Sequence, residues 1–392
     1  MTRRITILSL ALLMACGRAD APDTARPDDA PARPRLVEDL RLDANAEDFS
    51  LVGTVAVGED GRMAVPLPQD MEVRLYDPAG NRIASVGRRG GGPGEFKHLG
   101  AMTWIGDTLM VDDQRQRRVT YIDAAGAVLR TVPLPGPMAP TALSATSADT
   151  TFRFFIAHSG STTGDILGMA HVSVGPPSST GSSPWRVLSL APDGSARIIA
   201  QPPQYEDERW TVTIAGLSNY IPFALRPQIV FAVDGSRIAF LTADQSTAVA
   251  TYSLTVLNAD GEPLFARDYS RAGEAIPPAA VDSAIAAMAP PGQPREEGSD
   301  PSRFQALARE RMPAVYAPVE RVMLAVDGTT WLTMRATAAG TEALMLDAHG
   351  TLVSTVPLPP RSRVQNATAT NVWMTETDEF DLVSVVRYRI ER

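Results

Sequence analysis

Short stretches of alternating apolar and polar residues, separated by glycine-containing turns, fill most of the chain after residue 50. One recurring unit is an apolar or aromatic residue, an Asp-containing turn closed by glycine, and a second β-prone run. It occurs around five glycines, which are Gly80, Gly126, Gly194, Gly261 and Gly350. Glycine adopts the positive φ angle that such turns need, and aspartate hydrogen-bonds to nearby backbone. Each unit therefore predicts a β-hairpin.

A second turn lies upstream of several of these hairpins, as in VAVGEDGRMAV, WIGDTLMV, FAVDGSRIAF and LAVDGTTWLT. The two turns form a doublet and are about twenty residues apart, as with Gly61 and Gly80. The doublet then recurs, and its second turn, at Gly126, lies 46 residues after Gly80. Two hairpins in series form a four-stranded antiparallel meander, which is one blade of a β-propeller. A β-sandwich also has short strands and frequent turns, but it gives no reason for the same doublet to recur.

The pattern predicts an all-β protein, a six-bladed β-propeller of four-stranded antiparallel blades over residues 36–392. The predicted blades cover residues 49–90, 97–135, 139–203, 208–270, 317–357 and 361–392. The sixth blade lacks a glycine turn and offers only three strands. Residues 36–42, LVEDLRL, can supply the fourth strand, because pairing the two ends of the chain closes the ring and removes two open sheet edges.

Residues 271–316 depart from the repeat. The parts Val281–Met288 and Ser302–Arg311 have helical composition, with a Pro/Gly/Glu linker between them, and Pro313 ends the second helix. We expect a short helical insertion between blades four and five. Long segments between blades lie on a propeller face, so the insertion is expected to border any binding surface.

The segment GRRGGGPGEF (87–96), followed by HLGAMTWIGDTLMVDDQRQRRVTYIDAAG (98–126), resembles the NHL-type repeat with its glycine-rich connector and an aspartate in the second strand. More broadly, residues 36–392 resemble the six-bladed β-propeller lipoproteins of environmental bacteria, most closely over residues 50–126. The resemblance implies a fold and an envelope location rather than an activity. It also implies a structural role for the second-strand aspartate, in the pair Asp112 and Asp113.

The first fifteen residues have the order of an export signal: Arg3 and Arg4, an apolar stretch, and Ala15 before Cys16. The stretch is too short to span a membrane as a helix. Leu13 to Cys16 resemble the lipobox of bacterial lipoproteins, which implies that Cys16, the single cysteine, is lipidated. We therefore predict a signal peptide over 1–15, a lipidated flexible tether over 16–35, and attachment to a membrane. Gly17, where retention at the inner membrane would favour aspartate, favours the outer membrane, on its periplasmic or surface face.

The formal net charge is −9, and removal of the predicted signal deletes two arginines, giving −11. Such an acidic protein is a poor ligand for nucleic acid, so no nucleic-acid partner is predicted. The glycine cluster of 87–96 is followed by β-prone sequence instead of a helix, which favours a blade connector over a phosphate loop.

The four histidines show no ligand spacing, and we predict no metal site and no cofactor. Four residues near the starts of inner strands are candidates for ligand binding at the channel mouth: His98, Arg226, Arg321 and Arg363. Asp112 with Asp113, and Asp378 with Asp381, are carboxylate pairs of the type that binds calcium or performs acid–base chemistry, but they also suit structural roles. No catalytic residues are singled out.

The sequence therefore predicts a membrane-tethered scaffold in the cell envelope that binds a protein, peptide or glycan, more in keeping with a binding protein than with an enzyme. The alternative is a metal-dependent hydrolase or lyase of the gluconolactonase-like or amidating-lyase-like kind, with calcium or zinc in the channel. Fold alone cannot decide between them, because a propeller carries its function in its loops.

Overall fold

A computed structural model describes residues 34–135, 150–174, 185–204, 209–214, 217–288 and 301–391. The predicted signal peptide, Cys16 and the predicted tether up to residue 33 lie outside the described residues. Within them, six four-stranded antiparallel sheets form a six-bladed propeller, as the sequence predicted.

Each of the first five blades is a meander whose strands follow one another along the chain. The first blade comprises β2 (Ala56–Val57), β3 (Met63–Leu67), β4 (Glu72–Tyr76) and β5 (Arg82–Val86). The second comprises β6 (Met102–Ile105), β7 (Thr108–Asp113), β8 (Arg118–Asp123) and β9 (Val128–Pro133). The third comprises β10 (Thr150–Gly160), β11 (Ile166–Val174), β12 (Trp185–Leu190) and β13 (Ala196–Ala200).

The fourth blade comprises β16 (Gln228–Phe231), β17 (Arg237–Asp244), β18 (Val249–Asn258) and β19 (Pro263–Ala272). The fifth comprises β20 (Val319–Leu324), β21 (Thr330–Met334), β22 (Thr341–Leu346) and β23 (Leu352–Leu358). The extra hairpin β14 (Thr211–Ile214) and β15 (Leu217–Tyr220) precedes blade four, and helices α1 (Pro278–Ala287) and α2 (Pro301–Glu310) follow it. The helical insertion is thus confirmed between blades four and five.

The sixth blade joins the two ends of the described chain. It comprises β24 (Ser362–Ala367), β25 (Asn371–Thr377), β26 (Val383–Glu391) and, as the outermost strand, β1 (Arg35–Leu42). β1 runs antiparallel to β26, with Arg35 opposite Glu391 and Leu42 opposite Val385. The ring therefore closes through the strand that the sequence predicted over 36–42.

One apolar core lies at each of the six interfaces between neighbouring blades. The six pairs of representative residues are Leu75 with Ile122, Met110 with Ala157, Val187 with Ile238, Leu254 with Leu332, Met345 with Val386, and Trp373 with Met63. A strand that packs a neighbour on both of its faces is buried on both, which explains why all five residues of β3 are buried. The core is thus distributed around the ring.

The glycine turns lie where the sequence placed them. Gly61, Gly80, Gly126, Gly261 and Gly350 all have positive φ angles, as do the other glycines of the predicted turns. In the outer turns an Asp or Asn side chain accepts two backbone N–H groups; Asp77 accepts from Ala79 at 2.9 Å and Asn81 at 2.8 Å. These local bonds fix the turns without help from distant residues.

Candidate functional site

The meander order gives the propeller two different faces. Turns between the first and second strands, and between the third and fourth strands, lie at one end of each blade, which we call the hairpin face. Turns between the second and third strands and the inter-blade connectors lie at the other end, the connector face. His98, Arg226, Arg321 and Arg363 all belong to the connector side, since each stands before or near the start of an inner strand.

Two insertions meet on the connector face beside blade four. Helices α1 and α2 pack on the hairpin β14–β15 through a buried apolar cluster that includes Val212, Ile221, Ile285, Phe304 and Ala308. We call this assembly the cap. The sequence predicted the helices but assigned residues 208–227 to blade four. That assignment was wrong, because β14 and β15 pair only with each other and pack under the helices.

Gln245, in a connector-face turn of blade four, joins both insertions to the blade. Its side-chain N–H group donates to Phe223 O at 3.1 Å and to Val315 O at 2.8 Å. Its side-chain oxygen accepts from Leu225 N at 2.7 Å, and its backbone oxygen accepts from Ala314 N at 2.8 Å. A buried amide satisfied in this way fixes the cap rigidly. No local pattern marks this glutamine, and sequence reasoning missed it.

Polar side chains link the inner strands of neighbouring blades around the channel. Gln228 donates to Glu320 O at 2.9 Å and accepts from Val322 N at 3.1 Å. Asn366 donates to Val57 O at 3.3 Å. Because the inner strand of each blade has an unpaired edge, these side chains satisfy backbone groups that no strand covers.

Arg321 and Arg363 come together on the inner strands of blades five and six. Arg321 donates to Val364 O at 3.3 Å, which brings its guanidinium to β24, while the Arg363 side chain is exposed. Burial, assisted by the neighbouring Arg363 charge, lowers the pKa of Arg321 to about 10. Neither arginine forms an ion pair with an acid of the described residues. Two adjacent guanidinium groups thus have no counter-charge from the described part of the chain.

The other two predicted site residues lie elsewhere on this face. Arg226 is exposed and stacks over the ring of Tyr220 at 4.5 Å, within the cap. His98 follows the glycine-rich connector, and its Nδ1 atom is buried without a hydrogen-bond partner among the described residues. The structure shows no contact that brings either of them to the arginine pair. The predicted set of four is therefore divided into a pair and two separate residues.

The Asp112–Asp113 pair divides into two roles. Asp113 accepts from Lys97 N at 2.8 Å and from Gln116 N at 3.0 Å, which holds the connector as the NHL resemblance implies. Asp112 is fully buried, and among the described residues no hydrogen bond of ordinary geometry reaches its carboxylate oxygens, although the Gln114 side chain lies near enough to favour the charged form in part. Burial raises the pKa of Asp112 to about 7.

Asp112 stands at a position that is apolar in blades three and four and is a threonine, Thr333, in blade five. Counted from the outer glycine turn, the corresponding residues are the buried Met169 in blade three and Leu241 in blade four. The unusual carboxyl could have been found by aligning the blades on their turns. A buried polar group without a partner is costly, which makes Asp112 a break in the local pattern of the fold.

The hairpin-face mouth of the channel is small, and its arginine side chains have acidic or carbonyl partners. A cavity of about 160 Å³ is lined there by Gly58, Asp60, Trp104, Asp107 and Asp234, among others. Arg62 lies 2.7 Å from a carboxylate oxygen of Asp60 and 2.7 Å from one of Asp107. Arg237 is buried between blades four and five and donates to Gly328 O at 2.6 Å and to the carbonyls of Ala325 and Thr329.

Among the described residues, no three His, Cys, Asp or Glu side chains are grouped so that they could hold a metal ion. In the same part of the chain, no helix combines the length and the apolar character that a membrane span requires.

No protein-family model matches the chain, and no curated protein matches it. Several solved structures are similar at low identity. One is a DUF4221-family member from Bacteroides vulgatus, with 11% identity, 92% of this chain and 98% of that chain covered, and a TM-score of 0.48. Another is an exported protein of Bacteroides fragilis, with 10% identity, coverage of 92% and 96%, and a TM-score of 0.47. A third is an inactive virginiamycin B lyase from Staphylococcus aureus, with 11% identity, coverage of 91% and 99%, and a TM-score of 0.39.

Proposed function

We propose that this protein is a lipid-tethered, extracytoplasmic scaffold of the cell envelope that binds a protein, peptide or glycan partner through its connector face. The observation that carries the proposal is the cap. Two insertions that are separate in sequence are joined by Gln245 and a shared apolar cluster on one face of the ring. A rigid scaffold that displays built loops on one face is the usual arrangement of a binding surface.

The direction of the tether supports the same face. β1 starts at Arg35, opposite Glu391, at the hairpin-face end of blade six. The 17 residues between Cys16 and the first described residue are the proposed tether. The chain enters the propeller at the hairpin face, so the connector face is the one farther from the proposed point of attachment.

Exposed apolar side chains on the connector face provide contact points for a partner. Phe380, in a turn of blade six, is 75% exposed, and Tyr220, in the cap, is 48% exposed. Aromatic side chains, Phe and Tyr among them, are enriched in protein interfaces relative to the rest of the protein surface. Phe380 lies in a turn in which the Asp378 side chain accepts the backbone N–H of Phe380 at 2.8 Å. Because this bond involves only the backbone of Phe380, a substitution of its side chain leaves the turn intact.

Partner capture tests the proposed function. The purified full-length protein, or Phe380→Ser, is crosslinked to envelope extract and the recovered partner is quantified. Because an interface anchor contributes about 2 kcal/mol or more, we expect recovery by Phe380→Ser to fall at least about tenfold. Leu264→Ser, which changes a residue 45% exposed on the outer strand β19, is the matched control and should recover the partner normally. Equal recovery by both variants contradicts binding through the connector face.

Metabolic labelling tests the anchor. We expect palmitate label and membrane attachment in the wild type and loss of both in Cys16→Ser, because the sulfur that carries the lipid is gone. The measurement is radiolabel in the band together with its distribution between membrane and soluble fractions. Unchanged labelling of Cys16→Ser would overturn lipidation at this residue, and attachment to the inner membrane instead of the outer would overturn the sorting inferred from Gly17.

A further inference from the structure

The arginine pair at the connector-face mouth retains most of its hydrogen-bonding capacity. A guanidinium carries five N–H donors in a planar fork, and Arg321 uses one of them, on Val364 O. No nitrogen of Arg321 or Arg363 is both buried and unpartnered, so the remaining donors are open to solvent. The pair can therefore donate to a ligand while Arg321 keeps its 3.3 Å bond to Val364 O.

The absence of an acid beside this pair contrasts with the other inter-blade arginines. Arg197 lies 3.0 Å from Asp260, and Arg271 lies 2.7 Å from Glu342. The buried Arg237 has three carbonyl acceptors, with the charges of Asp234 and Asp327 nearby. In a chain with more acids than bases, two adjacent arginines without a carboxylate are a costly arrangement.

The repulsion between the two charges gives the pair a preference for an anion. Burial and the Arg363 charge both disfavour the charged form of Arg321, and a negative group between the two side chains reverses this effect. Carboxylate and phosphate oxygens match the guanidinium fork, which binds them through two parallel hydrogen bonds.

We propose that Arg321 and Arg363 form a binding site for an oxyanion, a carboxylate or a phosphate group, on the ligand that enters the connector-face mouth. This inference rests on the proposed function, since it names the chemistry of one contact within the connector face. It assigns no chemistry to His98 or Arg226, which lie apart from the pair.

Titration calorimetry with inorganic phosphate and with succinate, at low ionic strength, tests the site. We expect at least one of the two anions to bind saturably, and the stronger binder identifies the source of the oxyanion. A charged hydrogen bond contributes about 1.5–3 kcal/mol, so Arg363→Gln should weaken binding by about 10- to 100-fold. Arg363→Lys, which keeps the charge and loses the fork, should bind with intermediate affinity.

Arg363→Gln is the principal variant because the side chain is exposed, and Arg321→Gln is compared with it after thermal melting shows that it is folded. Arg197→Gln removes an exposed arginine from blade three and is the matched control. The site is overturned if neither anion binds the wild type, or if Arg363→Gln binds as tightly as Arg197→Gln. If the protein binds an anion but captures no partner, only the proposed function is refuted. If it binds no anion and Arg363→Gln captures the partner as well as the wild type does, only the oxyanion site is refuted.

Discussion

At the hairpin-face mouth of the channel, Arg62 lies 2.7 Å from both Asp60 and Asp107, and Arg237 donates to three carbonyls of blade five. At the connector-face mouth, Arg321 has one hydrogen bond and Arg363 has no ion pair with a described acid. Arginine therefore stabilises the ring at the hairpin-face mouth and is left available at the connector-face mouth, although Arg271 still pairs with Glu342 elsewhere on the connector face. The difference separates the part of the molecule that holds the blades together from the part that can bind.

The two faces differ because they are built from different kinds of segment. Hairpin-face turns are short, repeated and closed by their own Asp or Asn side chains, as Asp347 shows by accepting His349 N and Thr351 N at 2.8 Å each. Connector-face segments vary from three residues between blades five and six to the long insertions around blade four. Some of these segments also supply core residues, since Phe96 and Leu134 are buried in the cores on either side of blade two.

The largest expected effect concerns Asp112, near the connector-face end of β7. Its pKa is raised from 3.8 to about 7, so its contribution to stability is fully present below about pH 4 and is lost as pH rises through 7. Asp112→Asn removes the charge that must be buried at higher pH. We expect the free energy of unfolding of this variant to exceed that of the wild type by on the order of 4 kcal/mol at pH 8, measured by urea denaturation.

The control for Asp112→Asn is the neighbouring carboxylate. Asp113→Asn weakens a side chain that accepts from Lys97 N and Gln116 N, so it should lower stability at every pH near neutrality. The advantage of Asp112→Asn should shrink towards zero as pH falls to about 4. If the difference in unfolding free energy between Asp112→Asn and the wild type does not change with pH, the folded protein does not bury a charged Asp112.

A smaller effect is expected at the hairpin face. Arg237→Met leaves the carbonyls of Ala325, Gly328 and Thr329 without this donor, and we expect a loss of about 3 kcal/mol in the free energy of unfolding. Arg197→Met is the control, because this exposed arginine also joins two blades, through Asp260. Its effect should stay within about 0.5 kcal/mol, and a comparable loss in both variants would show that burial does not set the strength of these links.

Much of the fold follows from local features of the sequence. Glycine with positive φ and a neighbouring Asp or Asn determine the turns, and the distance between turns determines the blade. Closure by residues 36–42 could be predicted because the last blade lacked a strand. The start of blade four could not be placed, since residues 211–220 have the strand pattern of a blade and only their contact with α2 shows otherwise.

The site was predicted less completely, for a physical reason. Arg321 and Arg363 were found because an arginine near the start of an inner strand lies near the channel in any blade. The pairing between them depends on the contact between two blades, and the bonds of Gln245 depend on three segments that are distant in sequence. The unusual burial of Asp112 can be recognised only when the blades are aligned on their turns. In the sequence alone, Asp112 and its neighbour Asp113 look like an ordinary pair of carboxylates.

The pairing of β1 with β26 has a consequence for the order in which the protein folds. Arg35 and Glu391 are opposite each other, so the sixth blade is complete only after β26 has been synthesised. Contacts between such distant segments form slowly, and until they form both β1 and β26 expose unpaired edges. Truncation at either end should therefore leave an open ring prone to aggregation.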